Sequence, residues 1–395
     1  AGSQGGQVLY SGPLQGFAAV AGSETARHLF SEDEMKPRTP RGAAGVLRLE
    51  NITRNNLHKL AVAFPLGVLT SVTGVSGSGK STLVSQALAE LVATALGQEV
   101  TAEAAEEEES AHDLVLPTLG KVAGGLEHID RLVRVDQTPI GRTPRSNLAT
   151  YTGLFDAVRK LFAATPAARK RHYDAGQFSF NVAKGRCPQC EGEGVVCVEL
   201  LFLPSVYAPC PTCNGTRYNA RTLEVRYRDK SIADVLAMTV DAAWEFFQED
   251  PSVAHSLDVL REVGLGYIRL GQPATELSGG EAQRIKLASE LQRAQRGRTL
   301  YILDEPTTGL HPSDVDRLMT QLNRLVSAGN TVIVVEHDMR VVASSDWVID
   351  IGPGAGEEGG RLVAQGTPEE LAEMKESRTA AYLKKYLEER LRPVQ

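Results

Sequence analysis

The stretch that decides the fold is Gly74–Ser81, which reads Gly-Val-Ser-Gly-Ser-Gly-Lys-Ser. It follows the β-branched and apolar run Val68–Thr73, which predicts a buried strand, and it precedes residues 83–95, where apolar residues recur at helical spacing. A glycine-rich loop between a strand and a helix lets backbone N–H groups converge on an anion at the positive end of the helix. The stretch therefore predicts a phosphate-binding loop, in which Lys80 reaches the terminal phosphates of a nucleotide and Ser81 ligates Mg²⁺.

Two more strands are predicted downstream, at Thr299–Leu303 and Thr331–Val335. Both are continuously apolar, as parallel strands covered on both faces usually are, so the favoured class is an α/β core with crossover helices. The first strand runs into Asp304 and Glu305. Together with the P-loop pattern of the first stretch, these acids predict a catalytic pair: Asp304 holds Mg²⁺, and Glu305 polarises the water that attacks the γ-phosphorus.

A third motif lies at Ser278–Glu281. Its Ser-x-x-Glu spacing is that of a capping box, which predicts that a helix begins here. Gly279 and Gly280 beside a capped helix N-terminus also form a good anion site. The motif is therefore suited to closing over a γ-phosphate that the P-loop of another module holds.

All five cysteines fall between Cys187 and Cys213. Cys187 and Cys190 form one C-x₂-C pair, Cys210 and Cys213 form another, and nineteen residues separate the pairs. That spacing predicts a structural site in which four thiolates hold Zn²⁺, the alternative being free buried thiols. Cys197 is left over and is interpreted as a small core residue.

Composition limits the class of protein. The 395 residues carry a formal net charge of −7 and are 42% hydrophobic, which excludes collagen, wholesale disorder and a membrane-embedded body. There is no apolar run long enough to span a bilayer, and the N-terminus lacks the features of a signal peptide, so a cytoplasmic protein without a membrane partner is expected. The acidic total also argues against indiscriminate nucleic-acid binding.

Charge is unevenly distributed along the chain. Residues 99–113 are acidic and rich in alanine, which predicts a solvated loop. Residues 140–190 instead carry nine lysines and arginines against two aspartates. We call this segment the basic island; the family resemblance described below implies that it is part of a DNA surface, and a solvated helical face is the alternative at Arg169–Arg171. Arg142 and Arg145 are alternatively assigned to the nucleotide site, because they lie close in sequence to Gln137, which the ABC resemblance described below places at that site.

An internal similarity links the two ends of the chain. Residues 5–13 resemble residues 359–368, and residues 23–29 loosely match residues 377–383. The similarity is either two glycine-rich turns or a sign that the chain opens with the tail of a preceding module like its own.

Leu277–Glu281 resembles the signature of ABC-type ATPases. Glu336–Asp338, after a strand, resembles their switch histidine, and Asp136-Gln137 resembles their Q-loop. The resemblance implies that His337 contacts the γ-phosphate and that Gln137 couples Mg²⁺ and the attacking water to a neighbouring helical subdomain. The catalytic residues predicted in this way are Glu305, His337 and Gln137. The residues predicted to bind ATP and Mg²⁺ are Gly74, Ser76, Gly77, Ser78, Gly79, Lys80, Ser81, Thr82, Asp304, Ser278, Gly279 and Gly280.

The combined pattern is more specific than its parts. Lys80 and Asp304 are 224 positions apart, so a substantial insertion separates them, and it contains the cysteines. The chain resembles the UvrA family, the damage-sensing subunits of bacterial excinuclease, from about residue 45 to residue 383. The stretches that carry this resemblance are Val135–Asn147, Phe178–Val182, Cys187–Cys213, Tyr218-Asn219 and Gly264–Ile268.

The resemblance implies an ABC-type P-loop ATPase core of class α/β, with an inserted helical signature subdomain that carries a Cys₄ zinc module. It corresponds to the second of the two ABC modules of the family. The domains expected from it are a tail of the preceding module with a linker (1–44), the first part of the ATP-binding core (45–136), the inserted signature, zinc and DNA-binding subdomain (137–276) and the second part of the core (277–395).

The function that the resemblance implies is recognition of DNA damage in nucleotide excision repair, with ATP, Mg²⁺ and Zn²⁺ as cofactors. The expected partners are damaged double-stranded DNA, the first ABC module of the same protein and a second copy in a homodimer. The helicase subunit UvrB is a possible partner, but not through this half alone. Three alternatives stay open: a UvrA-like paralogue for tolerance of DNA-binding drugs, an ATPase that energises a transporter, and a drug-sequestering or translation-associated ABC protein.

Overall fold

The computed structural model describes residues 6–20, 22–30, 40–98, 117–200, 203–293 and 297–390. These residues form two compact units. The inserted unit comprises residues 137–293 with the residues up to Gln7, and the core unit comprises residues 8–136 with those that follow Arg293. The predicted acidic loop at residues 99–113 lies outside the described residues.

The strands are β1 (Gly45–Arg54), β2 (Leu57–Leu66), β3 (Leu69–Thr73), β4 (Leu119–Gly124), β5 (Arg131–Val135), β6 (Val195–Leu200), β7 (Leu203–Pro209), β8 (Arg226–Tyr227), β9 (Lys230–Ser231), β10 (Thr299–Asp304), β11 (Thr331–Val335), β12 (Trp347–Gly352) and β13 (Arg361–Gly366). The helices are α1 (Leu14–Phe17), α2 (Glu24–Phe30), α3 (Ala89–Ala95), α4 (Leu148–Tyr151), α5 (Leu154–Ala163), α6 (Pro166–Lys170), α7 (Ala220–Leu223), α8 (Ile232–Ala237), α9 (Val240–Phe246), α10 (Pro251–Glu262), α11 (Gly279–Gln292), α12 (Pro312–Ser327), α13 (Met339–Ser344), α14 (Pro368–Ala372) and α15 (Arg378–Arg390). A π-helical stretch, Thr82–Leu88, leads into α3.

A six-stranded sheet lies at the centre of the core unit, in the order β13-β12-β3-β11-β10-β5. Neighbours from β12 to β5 run parallel, whereas β13 is antiparallel to β12. All residues of β3 and β11 are buried, which accounts for their continuous apolar sequences. The α/β class and the three strands predicted from the sequence are confirmed.

The register of this sheet brings three strand ends together. Val72 of β3 pairs with Val335 of β11, and Val335 pairs with Asp304 of β10. Since the strands are parallel, the segments that follow them leave the sheet at the same edge, where ligands of α/β proteins characteristically bind. These segments are the loop at Gly74, the Asp304-Glu305 pair and the loop that carries His337.

An antiparallel sheet, in the order β2-β1-β4, completes the core unit. Its inward-facing residues, including Leu49 and Phe64, belong to one buried cluster with Leu83 and Val84 of the π-helical stretch and with Ile302 of β10. The helix that starts in the phosphate-binding loop is therefore fixed between the two sheets.

The inserted unit is mostly helical, and aromatic rings fill much of its interior. Phe162 lies 5.5 Å from Phe178 and 5.9 Å from Tyr227 between ring centroids. The buried Tyr218 donates its hydroxyl to the carbonyl oxygen of Phe178, at 2.8 Å. Helix α11, which begins at the predicted signature motif, belongs to this unit. The domain limits expected from the sequence stay a prediction.

The hairpin of β6 and β7 corrects one interpretation. Cys197 lies on β6 with an exposed side chain, so its assignment to the core is wrong. It pairs across the hairpin with Tyr207, which is 61% exposed, and Val198 pairs with Val206, which is also exposed. A two-stranded ribbon has no opposing layer on which to bury these faces, so apolar side chains remain accessible.

The two ends of the core unit share local structure, as their sequences suggest. Helix α2 begins with Ser23 Oγ accepting the N–H of Ala26 at 3.1 Å, and α15 begins with Ser377 Oγ accepting the N–H of Ala380 at 3.0 Å. All four residues are buried.

Across the parts of the chain that the structure describes, none of the helices combines the length and the hydropathy that a bilayer crossing demands.

Candidate nucleotide and zinc sites

The phosphate-binding loop has a conformation that glycine permits. Gly74, Gly77 and Gly79 have φ angles of 137°, 74° and 104°, where other residues are rarely found. A Cβ atom at Gly74 would lie only 2.0 Å from the carbonyl oxygen of Ile351. The glycines of the motif are thus required by backbone conformation and by the close approach of β12.

Lys80 is nearly buried, at 6% exposure, and its Nζ donates to the carbonyl oxygen of Val75 at 3.0 Å. Burial lowers the pKa of Lys80 below its ordinary value, although the carboxylates of Glu305, Asp304 and Asp350 act in the opposite direction. A phosphate would give this ammonium an anionic acceptor, which binds it more strongly than a neutral carbonyl does.

Asp304 lies beside two serine hydroxyls of the helix that follows the loop. Ser81 Oγ is 3.4 Å from Asp304 Oδ1, and Ser85 Oγ donates to Oδ2 at 2.7 Å. Ser81 and Asp304, the predicted magnesium ligands, are therefore adjacent, and both offer the oxygen atoms that Mg²⁺ prefers. Ser85 was missed by sequence reasoning; its position one helical turn after Ser81 is the signal that identifies it.

Glu305 and His337 meet at the edge of the sheet. Glu305 Oε1 lies 3.1 Å from His337 Nε2, and each side chain is about half exposed, at 42% and 47%. The N–H of Glu305 also bonds to the carbonyl oxygen of Val335 at 2.9 Å, which extends the β10–β11 pairing by one residue. The structure thus brings together the two catalytic side chains predicted for the core unit.

A glycine-rich loop at residues 352–360, which we call the supporting loop, packs against the phosphate-binding loop. Gly356 N–H donates to Gly77 O at 3.0 Å, and Gly360 N–H donates to Ser78 O at 2.8 Å. Asn56 Nδ2 donates to Gly77 O at 3.3 Å and to Gly356 O at 3.1 Å. Since the C=O and N–H of a trans peptide point in opposite directions, holding these carbonyls orients the following N–H groups.

The signature motif begins helix α11 in the inserted unit. Ser278 Oγ accepts the N–H of Glu281, and Glu281 Oε2 accepts the N–H of Ser278 at 2.8 Å, so the capping box is present. A Cβ atom on Gly279 would lie 3.2 Å from the side chain of Gln137. The predicted Q-loop residue is therefore adjacent to the signature, and Gly280 follows it in the first turn of α11.

Cys187, Cys190, Cys210 and Cys213 form one buried cluster whose Sγ atoms all lie within 4.8 Å of one another. The sulfurs of Cys187 and Cys210 are 3.9 Å apart, and those of Cys190 and Cys213 are 3.6 Å apart. In a tetrahedral site with Zn–S bonds of about 2.3 Å, neighbouring sulfurs lie about 3.8 Å apart. The cluster is thus compatible with zinc.

The thiols differ in their electrostatic surroundings. Burial raises the pKa of the Cys213 thiol to about 12 and also raises the pKa of Cys190. For Cys210, hydrogen bonds from the N–H groups of Cys213 and Thr212 outweigh burial and lower the pKa to about 7. Four buried thiolates repel one another, so a bound cation is needed to keep them deprotonated together.

Arg217 connects the cysteine cluster to the segment that follows Gln137. Its carbonyl oxygen accepts the N–H of Cys187 at 2.8 Å, and its buried guanidinium donates to the carbonyl oxygens of Pro144 and Gly271 at 2.7 and 3.3 Å. Burial lowers the pKa of Arg217, while the nearby Cys190 and Cys213 sulfurs act to raise it.

Much of the basic island is neutralised by acidic side chains of the inserted unit. Arg145, for instance, forms ion pairs with Glu191 and Glu193, which follow Cys190 in the sequence, so its charge is partly neutralised. The other ion pairs are Arg159–Asp156, Arg171–Glu224, Lys184–Asp174 and Arg186–Glu191. Lys160, Arg169 and Lys170 are exposed and form no ion pair with the residues that the structure describes.

Comparison with known proteins gives consistent matches. UvrABC system protein A of Neisseria meningitidis is 49% identical over 98% of this chain, and that of Streptomyces avermitilis is 51% identical over 98%. The crystal structure of UvrA2 from Deinococcus radiodurans matches with a TM-score of 0.88 and 64% identity, covering 98% of this chain and 45% of that one. The chain belongs to the UvrA family. A protein-family model described as "AAA domain, putative AbiEii toxin, Type IV TA system" also matches residues 225–343.

The chain spans about two-fifths of the length of the curated UvrA relatives, 40% and 37% in the two cases above. The family resemblance and the ABC-type fold with an inserted helical unit and a four-cysteine cluster are confirmed. The roles of the individual residues stay predictions.

We expect one zinc ion for each chain, and Cys187→Ala should lose it because three thiolates leave the tetrahedron incomplete. Metal content after dialysis, measured by mass spectrometry, checks this. Cys197→Ala is the matched control, since that cysteine lies outside the cluster, and it should retain zinc. Full zinc content in Cys187→Ala, or zinc-free Cys197→Ala, would contradict the assignment.

Proposed function

We propose that this chain is the second, ATP-hydrolysing ABC module of a UvrA-type protein that recognises DNA damage in nucleotide excision repair. The adjacency of Glu305, His337, Asp304 and Ser81 at one edge of the sheet, close to the phosphate-binding loop, is the observation that carries the proposal. These are the groups that phosphoryl transfer to water requires: a cation site, a carboxylate to orient the water and a donor for the γ-phosphate.

In this proposal, residues 74–82 bind the phosphates of ATP, and Ser81 and Asp304 hold Mg²⁺ directly or through water. Glu305 polarises the attacking water, and His337 contacts the γ-phosphate. The Ser278–Gly280 turn of another module closes over that phosphate, and Gln137 links the closure to the inserted unit. Hydrolysis therefore depends on pairing of modules, and a homodimer or the first ABC module supplies the partner.

The internal similarity supports the assignment of residues 1–44 to the tail of a preceding module. Ser23 and Ser377 cap their helices in the same way, and Leu29 occupies the position that corresponds to Leu383. Leu383 is fully buried against the core unit, whereas Leu29 is 57% exposed. A preceding ABC core would bury Leu29 as this core buries Leu383.

DNA contact is proposed for the inserted unit. Four thiolates hold Zn²⁺ and fix the base of the β6–β7 hairpin, whose Tyr207 and Val206 are exposed. Lys160, Arg169 and Lys170 provide cations that bind phosphates without reading sequence, which suits a sensor of distortion rather than of a base sequence. Exposed apolar side chains suit contact with bases that a distorted duplex unstacks.

One comparison favours a second candidate, a UvrA-like paralogue for tolerance of DNA-binding drugs. Identity is 64% to the UvrA2 structure but 49% and 51% to the two UvrABC system proteins. The two candidates share the nucleotide and zinc sites and differ in their partners, because excision repair requires recruitment of UvrB. Pull-down of UvrB by a protein that contains this chain separates them.

We expect Glu305→Gln to retain ATP binding and to slow hydrolysis by at least about a hundredfold, because it removes the carboxylate that polarises water. Equilibrium binding of a fluorescent ATP analogue and phosphate release, measured over a range of protein concentrations, check this. Glu389→Gln on α15 is an exposed control and should behave as wild type. Wild-type turnover in Glu305→Gln would contradict the assigned role.

For DNA, Arg169→Ala/Lys170→Ala should weaken binding to damaged and intact duplexes alike. The plot of log K for DNA association against log salt concentration has a negative slope. That slope should become shallower by about 0.9 for each DNA phosphate that the variant no longer neutralises. Fluorescence anisotropy between low and moderate salt measures this, with Lys385→Ala on α15 as the control. An unchanged slope would contradict the basic surface. Tighter binding to ribosomes than to either duplex would favour a translation-associated protein instead.

A further inference from the structure

A buried carboxylate that no catalytic role uses lies next to His337. Glu336 directly follows β11 and is 2% exposed. Removing a charged carboxylate from water is unfavourable unless hydrogen bonds replace the lost solvent, so its partners should reveal why it is there.

The two oxygens of Glu336 bind two different loops. Oε1 accepts the N–H of Thr307 at 3.0 Å and its hydroxyl at 2.8 Å. Oε2 accepts the N–H of His337 at 3.0 Å and the N–H of Asp338 at 3.4 Å. Thr307 comes two residues after Glu305, so one oxygen holds the loop that follows the catalytic carboxylate and the other holds the loop that carries the histidine.

We propose that Glu336 is a positioning residue for ATP hydrolysis, which sets the separation between Glu305 and His337 by bridging their loops. The proposal rests on the hydrolytic function proposed above. Glu305 and His337 are themselves about half exposed, so packing fixes them poorly, yet their side chains lie 3.1 Å apart. Hydrogen bonds to an ionised acceptor in a buried setting are among the strongest available, which makes Glu336 a stiff connector.

The isosteric variant Glu336→Gln tests the bridge sharply. All the groups that surround the carboxylate donate hydrogen bonds, and an amide has one acceptor oxygen and one donor nitrogen. If the amide nitrogen faces His337 and Asp338, both of their N–H groups lose their acceptor. If it faces Thr307, the hydroxyl can turn to accept from it, but the Thr307 N–H loses its acceptor, so one loop is weakened in either case. We expect kcat to fall by at least about tenfold, because misplacement of reacting groups by a fraction of an ångström is costly, while ATP affinity stays within about threefold.

Asp346→Asn is the matched control for a merely structural effect. Asp346 is a similarly buried carboxylate whose Oδ2 accepts the N–H of Leu69, at 2.9 Å, and pairs with Arg41. Leu69 begins β3, whereas the phosphate-binding loop follows the other end of that strand. Asp346→Asn should therefore lower the melting temperature and leave kcat nearly unchanged. Thr307→Ser retains both donors to Glu336 and should keep wild-type turnover. Thr307→Val removes the hydroxyl donor, so its kcat should lie between those of the wild type and Glu336→Gln.

The decisive set combines steady-state turnover, ATP affinity and melting temperature for the full 395-residue chain. In a Glu305→Gln background, Glu336→Gln should cause little further loss of turnover, because both changes act on one constellation. In Glu336→Gln, hydrogen exchange should accelerate in at least one of the peptides that cover residues 305–311 and 336–340. In Asp346→Asn it should accelerate in neither, whether or not the chain hydrolyses ATP.

A wild-type chain that pairs but shows no turnover would overturn the proposed hydrolysis, and hydrogen exchange would still report on the bridge. Wild-type kcat in Glu336→Gln would overturn the positioning role. So would an equal loss of kcat in Asp346→Asn, or unchanged exchange in both loops of Glu336→Gln.

Discussion

The parallel alignment of β3, β11 and β10 is the constraint on which the nucleotide site depends. Because Val72, Val335 and Asp304 are paired across the sheet, the phosphate-binding loop, the histidine loop and the Asp304-Glu305 pair begin at one edge. The strands are buried on both faces, so a shift of register would disrupt the close packing of both layers of the core. The packing of the core therefore determines where the site lies. Buried hydrogen bonds such as those of Glu336 add to the positioning of its loops.

The cysteine cluster imposes a second, local constraint on the inserted unit. Its ligands come from two turns joined by a hairpin that has little core of its own, so metal coordination is the natural source of order there. Arg217 extends that order by hydrogen bonds to Pro144 and Gly271, in segments that lead to Gln137 and to the signature helix. These hydrogen bonds are a physical route by which the cysteine cluster and the signature motif can influence each other within one unit.

Periodicity and motif chemistry predicted the parts of the site that depend on local sequence. The strand at Thr331–Val335, the capping box at Ser278 and the two cysteine pairs are of this kind, because neighbouring residues alone determine them. The supporting loop at 352–360 was not predicted, since its contact with Gly77 and Ser78 is created by folding; the internal similarity noted in the sequence begins only at residue 359. For the same reason, the exposure of Cys197 and the pairing of Arg145 with Glu191 could not be predicted: both depend on which faces the hairpin and the cysteine turns present.

The function proposed above requires that the nucleotide site and a zinc-stabilised DNA surface are energetically coupled. If binding of a nucleotide changes the affinity for DNA by some factor, linkage requires that binding of DNA changes the affinity for the nucleotide by the same factor. The most direct test is the dissociation constant for a duplex, measured at one salt concentration with the zinc-loaded chain, with and without a non-hydrolysable ATP analogue. Coupling predicts that the two constants differ by about fivefold or more. Identical constants would contradict it and leave an ATPase whose nucleotide site is independent of DNA.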